Sequence, residues 1–417
     1  MKSKGVFIST LCKESLSVIL LPSRVFGLSP FAIIEYGDSR VYKINFCGFY
    51  ALYSCFIGFL IPTIILTGLV LEGLNHQYSL DPAISINQYV LYLDVAPIGL
   101  CVFIGIASLM LRRNAFLDLM RDFTKIDGIL NLKNASTLRS HAIRQIVFMF
   151  IVLSILIIYS SYIWYFVEPP FIEGTFSYFY YAALSFGNVS TVIIILQYYV
   201  VNDSVRFRVK SLSRRLDVDN LVISGNNNDA LVKRSRKKQL HAICLLSDEY
   251  IESHVAAGKN NPNSSGRCLL TSQYLNNMLD VYENVQDSMR NICFVYGPGI
   301  LVIMMVIVLN FIISSYFVII YLLTNVQMAR VFKELIWTVY HLIRLIMIVE
   351  PSHRLSAEIE VIRLKICKLM MHEAESDAET QIETFSNKLL LAPSSFFSPC
   401  NMFDVNRSLL TTVSTSF

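Results

Sequence analysis

The chain has 417 residues, of which 54% are hydrophobic and only 16% charged, with a formal net charge of +4 and a mean hydropathy of +0.51. Soluble domains carry about 25% charged side chains, and here the apolar residues gather in runs of about 20, the length that crosses a hydrocarbon core of about 30 Å. An ordinary soluble enzyme, a disordered chain and a disulfide-stapled secreted domain are excluded on those grounds.

Residues 1–45 are predicted to form a cytoplasmic N-terminal arm without the compact apolar block and small-residue cleavage site of a secretory signal. Residues 46–201 hold four predicted spans. The first is Phe46 to Val70 and the second runs from about Tyr89 to Leu111. A basic loop, 112–145, leads to the third, Ile146 to Val167, and the fourth covers about Phe176 to Val201. Residues 202–295 read as a long basic cytoplasmic loop with helical extensions, in which 217–232 and 256–266 are rich in Asn, Gly and Ser. The fifth and sixth spans, Ile300 to Leu323 and Leu335 to Val349, fall within 296–350. Helices are the open-ended elements that satisfy their own backbone in lipid, so the expected class is an all-α polytopic membrane protein.

Past the sixth span, 351–405 read as a cytoplasmic amphipathic helix. Leu355, Ile359, Ile362, Ile366, Leu369, Ile382, Phe385 and Leu389 fall mostly at helical spacing. Such a stripe needs a partner, either within the subunit or at a subunit interface; Ile359, Ile362, Ile366 and Leu369 are the candidate interface residues. Residues 406–417 read as the start of a seventh helix. The ten residues after Arg407, SLLTTVSTSF, would rise about 15 Å, roughly half a bilayer core.

Orientation follows from Lys and Arg. The arm carries Lys2, Lys4, Lys13, Arg24, Arg40 and Lys43. The loop after the second span opens with Arg112 and Arg113, and the long loop with Arg206, Arg208, Lys210, Arg214 and Arg215. The alternate loops, 71–88 and 168–175, hold Glu72, Asp81, Glu168 and Glu173 and no Lys or Arg. The N-terminus is therefore expected in the cytoplasm, and the basic clusters beside membrane spans are not read as nucleic-acid patches. The nine cysteines show neither a disulfide framework nor zinc spacing, so inert thiols and no metal are expected.

No catalytic constellation stands out: there is no phosphate-cradling glycine loop, HExxH or G-x-S-x-G, and no cofactor is implied. Gly297, Pro298 and Gly299 are expected to begin the fifth helix. Polar residues inside spans are costly and mark pathways or binding sites. Asp94 lies in the second span with Pro97 after it, and Asn310, Ser314, Ser315 and Tyr316 lie in the fifth. Glu334, Trp337, His341 and Arg344 advance by three, four and three residues and so share one helical stripe. His341 and Arg344 are expected to tie helices together. A Trp one turn from an acid supplies the stacking face and hydrogen-bond acceptor that a sugar needs.

The segment WTVYHLIRLIMIVEPSH, the amphipathic helix and the later FFSPCNMFDVNRSLLTT resemble the C-terminal third of insect gustatory receptors. The fructose-receptor branch shows the same tryptophan, the H-x-x-R pair, the V-E-P and the late N-R. FGLSPF, Asp94 within L-D-V and the S-Y-F of the fifth span are similar to that branch as well. The resemblance implies a seven-helix subunit of a homo- or hetero-tetrameric, ligand-gated, non-selective cation channel. It would sit in the plasma membrane of a sensory neuron, surrounded by lipid and activated by a small tastant such as fructose. By position it assigns ligand binding to Asp94, Ser314, Tyr316, Glu334 and Trp337, and a structural or gating role to His341, Arg344 and Glu350. Ser314 stands where that branch often has Thr and Glu334 where it often has Gln. The closing T-Y-x-x-x-x-x-Q signature is absent, so a truncated regulatory subunit is an alternative expectation. A G-protein-coupled receptor is another, disfavoured by the basic N-terminal arm.

Overall fold

The structure is a computed structural model that describes residues 5–36, 41–76, 82–132, 136–166, 175–216, 221–222, 268–269, 272–324, 328–370 and 376–391. The expected start of a seventh helix at 406–417, most of the 202–295 loop, and Asp81, Glu168 and Glu173 lie outside the described residues.

The N-terminal arm is more than a tail. Strands β1 (Val6–Ile8), β2 (Phe31–Tyr36) and β3 (Val41–Phe46) form an antiparallel sheet in the order β1-β3-β2, with Val6 and Ile33 both opposite Ile44. Val6, Ile8, Phe31, Tyr42 and Ile44 are buried, while Phe7 between them is exposed, the alternation a half-buried sheet requires. Helix α1 (Thr10–Val25) starts at Ser9, whose hydroxyl accepts the Cys12 amide at 3.1 Å. It ends in a Schellman turn: the Gly27 and Leu28 amides reach back to the carbonyls of Arg24 and Ser23. Gly27 adopts φ +69°, and a Cβ there would also lie 3.1 Å from Ile57 Cβ, so the turn needs glycine.

The bundle follows. Its helices are α2 (Gly48–His76), α3 (Pro82–Leu111), α4 (Arg113–Ile129), α5 (Ser136–Phe166), α6 (Thr175–Arg215), α7 (Ser272–Leu323), α8 (Met328–Met370) and α9 (Ser376–Leu391). A short parallel pair, β4 (Leu221–Val222) and β5 (Cys268–Leu269), joins the ends of the long loop. Among the described residues, stretches of α2, α3, α5, α6 and α7 are long and apolar enough to cross a bilayer. In α6 every residue from Val192 to Val201 except the polar pair Gln197 and Tyr198 is a plain hydrophobe or Tyr199, and all ten are buried. A helix buried all round stands at the centre of a bundle.

The segment expected as a sixth span, 335–349, is the middle of α8, and α8 is not among those five helices because its inner stripe is polar. Its outer face is a clean apolar row, Met328, Phe332, Leu335, Val339, Leu342 and Ile346, all exposed. Glu334, His341 and Arg344 turn inward and are buried.

Three expectations change. The fifth helix does not begin at Gly297–Gly299, because α7 runs unbroken from Ser272 through Pro298. Proline has no N–H for the carbonyl one turn back, and Arg112 Nη1 donates to that Phe294 carbonyl while its guanidinium lies 4.2 Å from the Phe294 ring. Arg206 to Arg215, where the expected loop with its helical extensions opens, form the last turns of α6. The amphipathic stripe occupies two helices, the end of α8 and α9, and its partner is intrasubunit. Leu355, Ile359, Ile362, Ile366, Leu369, Ile382 and Phe385 are buried in the one core of this chain. Ile359, Ile362, Ile366 and Leu369 thus pack within this subunit.

Candidate functional site

The inward stripe of α8 organises the membrane-embedded polar groups. Trp337 is half-buried, and its indole N–H donates to Ser160 Oγ on α5 at 3.2 Å. About two turns earlier on α8, the Ala329 carbonyl accepts from the Tyr159 hydroxyl at 3.1 Å, so two hydrogen bonds fasten α5 to the first turns of α8. The Trp337 ring stacks on His341 (centroids 5.7 Å, 27°) and meets Tyr340 edge-on (5.4 Å, 81°). Its orientation is therefore set by a hydrogen bond and two rings at once.

A charge group sits beside it. Lys333 Nζ is 3.7 Å from Glu334 Oε1, and the same ammonium is the cation that acts on Asp94 of α3. Lys333 thus pairs with Glu334 on its own helix and lies within electrostatic reach of Asp94 on α3. Ser314 is buried on α7. Counting along α7 and α8 from their junction puts Ser314 level with Trp337 and Asn310 level with His341. The Tyr316 ring lies edge-on to Phe317, which stacks on Tyr321, an aromatic row along α7 itself.

Deeper in the stripe the polar groups are incompletely matched. Arg344 is 2% exposed; its Nη1 is 3.5 Å from His341 Nδ1 and its guanidinium 5.3 Å from the Tyr340 ring centre. Arg344 Nε, the Tyr340 hydroxyl and Asn310 Oδ1 are buried without a hydrogen-bond partner among the described residues. Glu350 accepts from Arg354 Nε at 2.7 Å on its own helix.

Toward the end of the bundle where the basic residues gather, one buried guanidinium has every nitrogen matched. Arg208 of α6 is fully enclosed and grips Asp127 of α4 with two hydrogen bonds, Nε to Oδ1 at 2.9 Å and Nη2 to Oδ2 at 2.8 Å. Its Nη1 donates to the Ser204 carbonyl at 2.9 Å, and the guanidinium lies 4.1 Å from the Phe123 ring centre. The Ser9 hydroxyl donates to the same Asp127, tying the N-terminal arm to α4 and α6. Cys12 lies in this joint, and burial pushes its thiol up to about 12. On α4, burial also raises the Asp122 carboxyl, against the pull of Lys125.

Sequence reasoning did not single out Ser160, Asp127 or Ser9. Asp127 left a signal, since it lies on the apolar stripe of α4 with Phe116, Leu119, Met120, Phe123 and Ile126. Ser160, one hydroxyl in a membrane helix, left none.

These features can be set against known proteins. A family model described as 7tm Chemosensory receptor matches residues 16–417. The chain belongs to the 7tm chemosensory receptor family. The gustatory receptor for sugar taste 43a of Drosophila melanogaster is 22% identical over 407 residues, spanning 93% of this chain and 92% of the relative. The insect olfactory receptor OR5 from Machilis hrabei shares the fold, with a TM-score of 0.62 at 13% identity over 97% of this chain and 95% of that one. The same receptor in complex with eugenol superposes at a TM-score of 0.57 over the same shares. The protein is a multi-pass membrane chemoreceptor, not an enzyme, with the architecture of that receptor fold.

Proposed function

We propose that this chemosensory receptor is a gustatory receptor subunit, forming a ligand-gated, non-selective cation channel opened by a sugar or another small polyhydroxylated tastant. The reading places it in the plasma membrane with its N-terminus in the cytoplasm, as the Lys and Arg distribution implies, and in tetramers of like or related subunits. One observation carries it: an indole fixed in orientation by Ser160, about one turn along the same helix from the Lys333–Glu334 pair, inside a helical bundle. Sugars are bound by such a combination, an aromatic face for C–H stacking and oriented donors and acceptors for hydroxyls. The full-length similarity to a sugar-taste receptor supports that ligand class.

Ligand opening requires tighter binding to one state than to the other. On this reading the hydroxylated ligand engages Asp94, Glu334 and Trp337, with Ser314 and Tyr316 from α7, and draws α7 and α8 together. His341 and Arg344 then pass the change along α8 toward the core. Voltage clamp of cells expressing the chain, alone and with a related subunit, against a sugar panel is the test. Inward cation current for at least one sugar is expected; no current from any combination, with surface expression verified, would overturn the reading.

A further inference from the structure

A small void lies where the N-terminal arm meets the bundle, between α1, α3, α4, α6 and α7. Its walls are apolar at Leu16, Leu109 and Phe116, and polar at Ser29, Gln197 and Tyr296. Ser29, Gln197 and Tyr296 are all at most 4% exposed. The Gln197 amide is oriented by its Nε2, which donates to the Leu28 carbonyl at 3.4 Å, so the Oε1 end is turned from that carbonyl. Gln197 Oε1 and Ser29 Oγ find no hydrogen-bond partner among the described residues, and Tyr296 lines the same void.

Buried polar atoms in native proteins are nearly always satisfied, by protein or by ordered water. The void leaves about 10 Å³ in which the centre of a water molecule can lie, the size of a one-water site, and such a water needs two to four polar partners. Larger occupants are excluded by that volume, and an apolar one by the polar atoms on its walls.

We propose that this void is a binding site for a single structural water that bridges Ser29 Oγ and Gln197 Oε1, with the Tyr296 hydroxyl as third partner. The water donates one proton to Gln197 Oε1, which can only accept, and exchanges the remaining bonds with the two hydroxyls, which can donate or accept. It completes the seam on which the arm rests. The backbone side of that seam is the Gln197 bond to Leu28, and the ionic side is Ser9 to Asp127. The arm is thereby held to α6 and α7 at a point separate from the outer charge group and independent of what the receptor senses.

An experimental map of the full chain at a resolution that shows ordered water tests this directly. A single peak within hydrogen-bond distance of both Ser29 Oγ and Gln197 Oε1 is expected. A dry void, a direct Ser29–Gln197 hydrogen bond or an acyl chain in its place would overturn the proposal. Thermal unfolding supplies a second measurement. Ser29→Ala and Gln197→Met are each expected to lower the midpoint by about 2–4 °C, and the double variant by no more than the worse single, because both act through one water. Additive losses would count against a shared water. Should Gln197→Met fail to fold, the wild-type map still decides.

Discussion

Arg208 and Arg344 are both sealed from solvent, one on α6 and one on α8, yet their surroundings differ in kind. Arg208 meets a bidentate carboxylate, a backbone carbonyl and an aromatic face, and the carboxylate is further bound by Ser9. Arg344 has a ring nitrogen at 3.5 Å, a tyrosine face and an Nε without a partner. A buried charge without a counter-charge is expensive, and full satisfaction is what a purely structural joint shows. The contrast separates a locked joint beneath the N-terminal arm from a membrane stripe that retains unmet hydrogen-bonding capacity, and the unmet groups lie next to the residues proposed to bind ligand.

The largest expected effect is at the locked joint. Asp127→Ala leaves the Arg208 guanidinium buried and uncompensated, and should cost about 3–5 kcal/mol, read as a fall in the thermal midpoint of the purified receptor and lost surface expression. Arg208→Met combined with Asp127→Leu should recover most of that stability, since an apolar pair of similar volume is often neutral. Arg344→Met removes a charge that no acid balances, so it should cost less than about 2 kcal/mol. A loss as large as that of Asp127→Ala would erase the distinction between the two sites.

A smaller change probes the membrane stripe. Trp337→Phe keeps a ring but removes the indole donor to Ser160, a bond worth about 1 kcal/mol. The expected result is a rise of about fivefold in the half-maximal ligand concentration with expression unchanged. Ser160→Ala should reproduce it, and no further loss should appear in the double variant. The last effect is pH-dependent. The ordinary Cys12 thiol value is 9.0 and the folded value about 12, so above about pH 9 the unfolded chain releases a proton that the native joint retains. Stability should therefore fall as pH rises through that window, by about 1 kcal/mol near pH 10, with no contribution at neutral pH. Cys12→Ala should flatten that part of a thermal-midpoint profile.

The membrane helices were legible because a lipid-facing surface writes itself into composition: runs such as LVIMMVIVLNFIISSYFVIIYLL leave few alternatives. Helix ends outside lipid were not. α7 extends 28 residues before Ile300, the difference between 300 and its first residue, 272, because that half is held by packing rather than by hydrophobicity. The arm sheet was hidden for the same reason: its strands are short, and the pairing of β1 with β3, across the whole of α1 and β2, is a tertiary choice. The α8 stripe was readable from its three-four-three spacing, and the structure turns Glu334, His341 and Arg344 inward on one face. Which partners those side chains meet was unreadable, since Ser160 and Asp127 are each distant in sequence from the residue they bind. The stripe Ile359, Ile362, Ile366 and Leu369 shows the converse limit: periodicity says that a face is buried, not whether the same chain buries it.

Equilibrium binding of a panel of sugars and polyols to purified receptor in lipid nanodiscs, with wild type, Trp337→Ala and the outward-facing control Cys55→Ala in parallel, tests the ligand assignment most directly. Saturable binding of at least one member to wild type and to Cys55→Ala, lost in Trp337→Ala at equal folded yield, is the predicted result. Binding that survives Trp337→Ala unchanged would place the ligand elsewhere in the bundle and contradict the account.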